Sequence, residues 1–169
     1  MPASDRTELA RHALEQVCSG SDASAAVGVY SPDFHDHVNA REYHGHAGIR
    51  DSLGAYQLVF SDGDLRIRVE DQVSEGDRVA SRWVAEGHNR GRAIRIWGIV
   101  ISRIADGEIV EDWAASDNLH LIRQLGPWRT VLLGLAWLRS SRLKRLVLGK
   151  LRLLSIGRRP PGRHVEQDP

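Results

Sequence analysis

The chain has 169 residues, 41% hydrophobic and 27% charged, which excludes wholesale disorder and suits one globular domain with an appendage better than two domains. A single cysteine, Cys18, excludes an intrachain disulfide framework and a cysteine-based metal cage. The net charge of +1 conceals an asymmetry: residues 1–117 hold 12 Lys+Arg against 20 Asp+Glu, and residues 118–169 hold 11 against 2. An acidic body with a basic tail points to a tail that has its own partner or folds back on the body. The N-terminus is charged from Asp5 onward and has no apolar stretch like that of a signal peptide, so a cytoplasmic protein is expected.

In chain order, Ser4-Asp5 can cap a first helix, with Glu8 placed as in a capping box. Leu9, Ala13, Leu14 and Val17 recur at helical spacing until Gly20. Ser21-Asp22 restarts a short helix that ends before Pro32, and residues 33–44 read as irregular or extended. A third helix is expected from about Ala47 to Phe60, with Ile49, Leu53, Tyr56 and Phe60 on one face. The period then changes. Leu65, Ile67 and Val69 alternate with Arg66, Arg68 and Glu70, as in a strand with one buried face. Further strands are expected at Val79–Gly87, Ile94–Ile104 and Ile109–Ser116, joined by turns at Glu75-Gly76-Asp77, Asn89-Arg90-Gly91 and Asp106-Gly107. Asn118–Leu125 reads as a closing helix ended by Gly126-Pro127. Helices followed by an antiparallel meander imply an α+β fold, with the helices on one face of a curved sheet.

The order of these elements resembles the nuclear-transport-factor-2-like fold, and several segments resemble its SnoaL-like polyketide cyclase branch. The carriers are Tyr30-Ser-Pro-Asp-Phe-His-Asp-His37, Gly45-His-Ala-Gly-Ile-Arg50, the run from Val69 to Trp83, Trp97-Gly98, Arg103 to Trp113 with Asp117-Asn118, and Gln124-Leu-Gly126. The resemblance spans most of residues 8–126. It implies a cone-shaped half-barrel whose mouth admits a small, mostly apolar ligand, and a typically metal-free site. Its members include polyketide cyclases, isomerases, epoxide hydrolases and non-catalytic binding domains, so fold alone does not choose the activity. The family often has a longer connection where this chain has the short hairpin His88–Ala93, and the tail after Gly126 is a second departure.

Asp117 is the first candidate for chemistry. Trp113, Ala115 and Asp117 share one face of the last strand, and a carboxylate ending an apolar face suits acid/base work. The resemblance matches Asp117 to the proton-handling aspartate of the cyclases. Its competing role is N-cap of the helix that follows. His37 matches a family position that faces the cavity, where it would orient a carbonyl or share a proton with Asp117; the alternative is a partly buried histidine bonded to backbone. Arg82 matches another family position and would pair with Asp117 or with a ligand oxyanion. With the opposite strand parity, Arg82 is solvated and Trp83 lies inside. Phe34, Tyr56, Trp97 and Trp113 are expected to line a closed-ended cavity as apolar surface for a cyclic ligand.

Histidines at 35, 37, 44 and 46 invite a metal reading, which is set aside because alternate histidines on the strand are taken to point opposite ways. No nucleophile motif, phosphate-cradling loop or dinucleotide fingerprint is present in the sequence, and cofactor-free chemistry is expected.

The tail has two parts. Thr130–Leu138 is uncharged but far short of the ~20 residues that cross a bilayer. Leu143, Leu146, Val147, Leu151 and Leu154 then follow helical spacing among basic residues, and 127–163 holds ten Lys+Arg and no acid. Residues 128–156 thus suit anionic lipid, or a helical hairpin packed on the acidic body or on a second copy of the chain. Nucleic-acid binding is not expected. The divisions expected are 1–126 for the ligand-pocket domain, 127–157 for a basic amphipathic extension and 158–169 for a disordered tail.

The function expected is a cofactor-free cyclase or isomerase acting by acid/base chemistry on an apolar cyclic or polyketide-like molecule, and a homodimer. The alternatives are a non-catalytic ligand-binding or dimerisation module and an epoxide hydrolase.

Overall fold

The computed structural model describes residues 1–20, 23–39 and 41–135; the expectations for 136–157 and 158–169 lie outside the described residues. The chain divides into two compact units, Met1–Thr130 and Val131–Pro169. In the first, helix α1 (Ala3–His12) runs on into a π-helical turn (Ala13–Val17), and a 3-10 turn follows at Ala23–Ala26. Strands β1 (Tyr30–Val38) and β2 (Arg41–His44) lead into helix α2 (Gly45–Val59). The meander is β3 (Arg66–Glu75), β4 (Arg78–Asn89), β5 (Arg92–Ala105) and β6 (Glu108–Ser116).

These strands form one curved, unclosed sheet in the order β2-β1-β6-β5-β4-β3. The α+β architecture is the one expected, and residues 33–44, expected to be irregular or extended, fall largely in β1 and β2. The difference is that β1 pairs in parallel with β6, so the sheet is mixed rather than antiparallel throughout. Pro32 has no N–H to give the ladder, and the β1–β6 register shifts between Tyr30 and His35. The expected short helix after residue 20 is only the 3-10 turn. Residues 118–130 are helical, and the helix continues through Gly126, where a stop was expected, with a φ of +76° at that residue. In the second unit residues 131–135 are helical.

The core fills the space between the helices and the concave face. Ala10, Ala13 and Val17 from α1 and the π turn, and Ile49 and Leu53 from α2, pack with Phe34, Val79, Ile104 and Ile109. Part of the outer edge of β3 is bonded by side chains of the π turn and the turn after it. Glu15 accepts the Val69 N–H at 2.8 Å and Ser19 accepts that of Ile67 at 2.7 Å, which leaves less of this edge free to pair with another chain. Tight approach is confined to a few points. A Cβ on Gly98 would meet Trp83 Cζ2 and, at 2.6 Å, the Ala115 carbonyl oxygen, so the Trp83 indole lies directly over residue 98 on the concave face.

Candidate active site

Strand alternation and two bulges decide which side chains reach the interior. On β1, Phe34, Asp36 and Val38 face inward and His35 and His37 outward. On β6 the register shifts between Ile104 and Arg103 of β5, which pair with Ile109 and Glu111, so one extra residue enters β6 at Val110. Parity reverses there. Beyond the bulge Asp112 and Ala114 face inward, and Trp113 outward.

The interior holds a cavity of ≈ 70 Å³, partly open to solvent, between the concave sheet, the π turn and α2. Phe34, Tyr56, Trp83, Ile49, Leu53 and Val100 supply most of its apolar wall, and Asp36, Asp112, Ser52 and Cys18 its polar atoms. Asp36 and Asp112 are direct partners in the parallel β1–β6 ladder, on strands about 4.8 Å apart. Only 7% of Asp36 and 8% of Asp112 is exposed, so both carboxyls are withdrawn from water.

Burial pushes the Asp36 carboxyl up to about 6, against the Ser52 hydroxyl and His37, which favour its charge. Burial pushes Asp112 higher, to about 8; the Ser102 hydroxyl opposes this and the charge of Asp36 adds to it. Oδ1 of Asp112 is buried and has no hydrogen-bond partner among the described residues. Around the pair, Tyr56 meets Trp83 edge-on at 6.3 Å, and burial raises its phenol above the ordinary value. Cys18 Sγ lies 3.6 Å from Tyr30 Oη, and burial pushes the thiol up to about 12, which leaves it an inert wall group at neutral pH.

The residues expected from sequence are divided by the sheet. Phe34 and Tyr56 line the cavity. Trp97 and Trp113 do not. They are 50% and 36% exposed on the outer face, where they join Ile99, Ile101 and Val73 in an apolar stripe. The reason for Trp97 is local: neighbouring Gly98 takes the inward position beneath Trp83, which turns residue 97 outward. Arg82 is also outside, paired with Glu70, while Trp83 is 3% exposed inside; this is the second of the two parities open to the sequence. His37 lies on the outer face, donates from Nε2 to Glu111 at 3.2 Å and stacks on Trp113 at 5.5 Å. Asp117 accepts the His120 N–H at 2.9 Å and caps the closing helix, and it is not among the cavity-lining residues. The inward carboxylates, Asp36 and Asp112, were missed. The signal that would have found Asp112 is a carboxylate between a valine-led bulge and a small-residue run, readable only once the bulge is known.

The alternate histidines of β1 do not point opposite ways. His35 and His37 are two residues apart on one strand and therefore share a face; their rings lie 4.0 Å apart. His46 stands away from them in α2, its Nε2 bonded to the Tyr30 carbonyl oxygen at 2.8 Å. Among the described residues, His35, His37 and Glu111, and likewise His35, Glu42 and His44, bring their ligand atoms within 4.8 Å of one another.

The sequence pattern of the SnoaL-like polyketide cyclases matches residues 8–125. The chain belongs to the SnoaL-like polyketide cyclase family. Among solved structures it is similar to IdmH from Streptomyces antibioticus, a candidate polyketide cyclase, at 26% identity and a TM-score of 0.60, covering 75% of this chain and 100% of IdmH. A loop-truncated variant of IdmH gives 27% identity and a TM-score of 0.63 over 72% of this chain and 99% of the variant. AclR from Streptomyces galilaeus, a candidate hydroxylase, shares the fold at 22% identity and a TM-score of 0.61, covering 74% of this chain and 98% of AclR. No curated protein matches the sequence. Among the described residues no helix is long and apolar enough to cross a membrane.

Proposed function

We propose that this SnoaL-like protein is a cyclase- or isomerase-type enzyme that enolises a carbonyl in an apolar substrate, with Asp112 and Asp36 as its acid and base. The observation that carries the reading is placement: two carboxyls on neighbouring strands face one cavity with mostly apolar walls. An acid/base pair needs one partner protonated and the other ionised at the working pH. Burial and mutual repulsion favour that arrangement here, because both carboxyls cannot carry charge cheaply at this separation. Asp36 then takes the proton from the carbon beside the carbonyl. Asp112 gives its proton to the carbonyl oxygen, and the enol so formed is the nucleophile that ring closure requires. The apolar walls of Phe34, Trp83 and Val100 exclude water and suit a neutral, ring-bearing molecule.

Family membership and the likeness to IdmH, a candidate cyclase, support this over a non-catalytic binding module. Two acids on a cavity also suit epoxide opening, but no arginine is among the residues that line it.

The test uses acetone, a ketone small enough for the cavity, in deuterium oxide. Wild-type protein should speed exchange of the protons beside the carbonyl, and Asp112→Asn or Asp36→Asn should each lower that rate by ~10²-fold, the usual worth of a positioned acid or base. Exchange no faster than buffer, or equal in the variants, would leave the binding module as the better reading.

A further inference from the structure

We propose that His35, Glu42 and His44, on the outer face of the β1–β2 edge, form a binding site for a divalent transition-metal ion of the zinc or copper class. The three come together through the ladder. His35 and His44 are direct antiparallel partners, and Glu42 follows two residues from His44 on the same face of β2. Their ligand atoms lie within 4.8 Å of one another, and the two imidazole rings are 4.2 Å apart with a 33° tilt. His35 Nε2 and Glu42 Oε2 stand 3.6 Å apart, too long for a hydrogen bond, with the nitrogen buried and without a hydrogen-bond partner among the described residues. A shared cation would satisfy both.

The neighbouring group of His35, His37 and Glu111 is the weaker candidate. Arg103 already holds Glu111 Oε2 through Nε and Nη2, each at 3.0 Å, and His37 donates to its Oε1. A metal there would have to displace a guanidinium. Glu42 instead meets the imidazoles of His35 and His37, and its side chain is 63% exposed, which leaves an entry path from solvent at the sheet edge. Two imidazoles and a carboxylate suit zinc, copper or nickel over magnesium or calcium, which prefer an all-oxygen shell. Three protein ligands leave a coordination position for water. This site lies on the sheet face opposite the cavity and does not depend on the reaction proposed above.

Full-length, untagged protein titrated with zinc(II) against a chromophoric chelator should bind one equivalent saturably, and cobalt(II) should give a visible d–d spectrum. His35→Ala and His44→Ala should each weaken binding ~10-fold or more, and Glu42→Gln should weaken it as well. His120→Ala should leave it unchanged, and far-ultraviolet circular dichroism checks that each variant is folded. The proposal is overturned if the wild type binds no stoichiometric zinc, or if His35→Ala and His44→Ala bind as tightly as wild type. Binding lost with His37→Ala but kept with His44→Ala would equally overturn it, placing the ion at Glu111.

Discussion

Asp36 and Asp112 sit opposite each other in the parallel β1–β6 ladder, with both carboxyls turned to the cavity and both under a tenth exposed. Holding a pair like this inside the fold has a consequence for stability. Asp112 is raised from 3.8 to about 8, so between those values the folded chain keeps a proton that the unfolded chain has released. More protons bound in the folded state means that stability falls as pH rises. Its contribution is therefore fully present below about pH 4 and is lost as pH climbs through about 8. Urea midpoints measured at pH 5, 7 and 9 should decline in wild type and decline less in Asp112→Asn. A wild-type midpoint that rises across this range would contradict the burial of the pair.

Gly98→Ala tests the packing of the cavity wall. The added Cβ meets the Trp83 indole and the Ala115 carbonyl oxygen, and both are held by the sheet. Overpacking of this sort costs about 1–3 kcal/mol, so the denaturation midpoint should fall by a corresponding amount. Gly54→Ala, where a Cβ meets nothing within 4 Å, is the matched control and should be neutral or mildly stabilising.

Asp117 tests the division between cap and catalyst. Asparagine keeps the side-chain oxygen that accepts the His120 N–H, so Asp117→Asn should retain both stability and ketone exchange. Asp117→Ala should lose ~1 kcal/mol of stability and keep its exchange rate once folded. If Asp117→Asn lowers exchange as far as Asp112→Asn does, the acid/base role belongs at the helix cap.

Why Asp117 stood out in the sequence and Asp112 did not is a matter of one residue. The alternation of β3 to β6 and the helical spacing of α2 were legible because each buries one face, so the α+β architecture followed from period alone. The parity of β6 did not follow: the bulge at Val110 reverses it, so counting by twos from Ile109 puts Trp113 and Asp117 inside. β5 gave no correction, because Ile99 and Ile101 make its outer face as apolar as its inner one. β1 reads from sequence only as irregular or extended, because Pro32 interrupts it and its inward face carries Asp36 between Phe34 and Val38. Polar residues facing inward erase the pattern by which a strand is recognised, and they are also the residues that make a site.

The outer stripe of Trp97, Ile99, Ile101 and Trp113 bears on the expected homodimer. If a second copy packs there, Ile99→Glu should turn a dimer into a monomer by sedimentation equilibrium and leave the fold unchanged by circular dichroism. A wild type that sediments as a monomer would remove that expectation.

The most direct test of the account is the titration of Asp112 itself, followed by the ¹³C shift of its carboxyl carbon in aspartate-labelled protein and assigned by its loss in Asp112→Asn. The account predicts a midpoint near 8, with the carboxyl still largely protonated at pH 6, and a lower midpoint in Asp36→Asn, where the neighbouring negative charge is gone. A midpoint in the ordinary aspartate range, unmoved by Asp36→Asn, would mean that the two carboxyls are neither buried nor coupled, and it would contradict their role as an acid and base in the cavity.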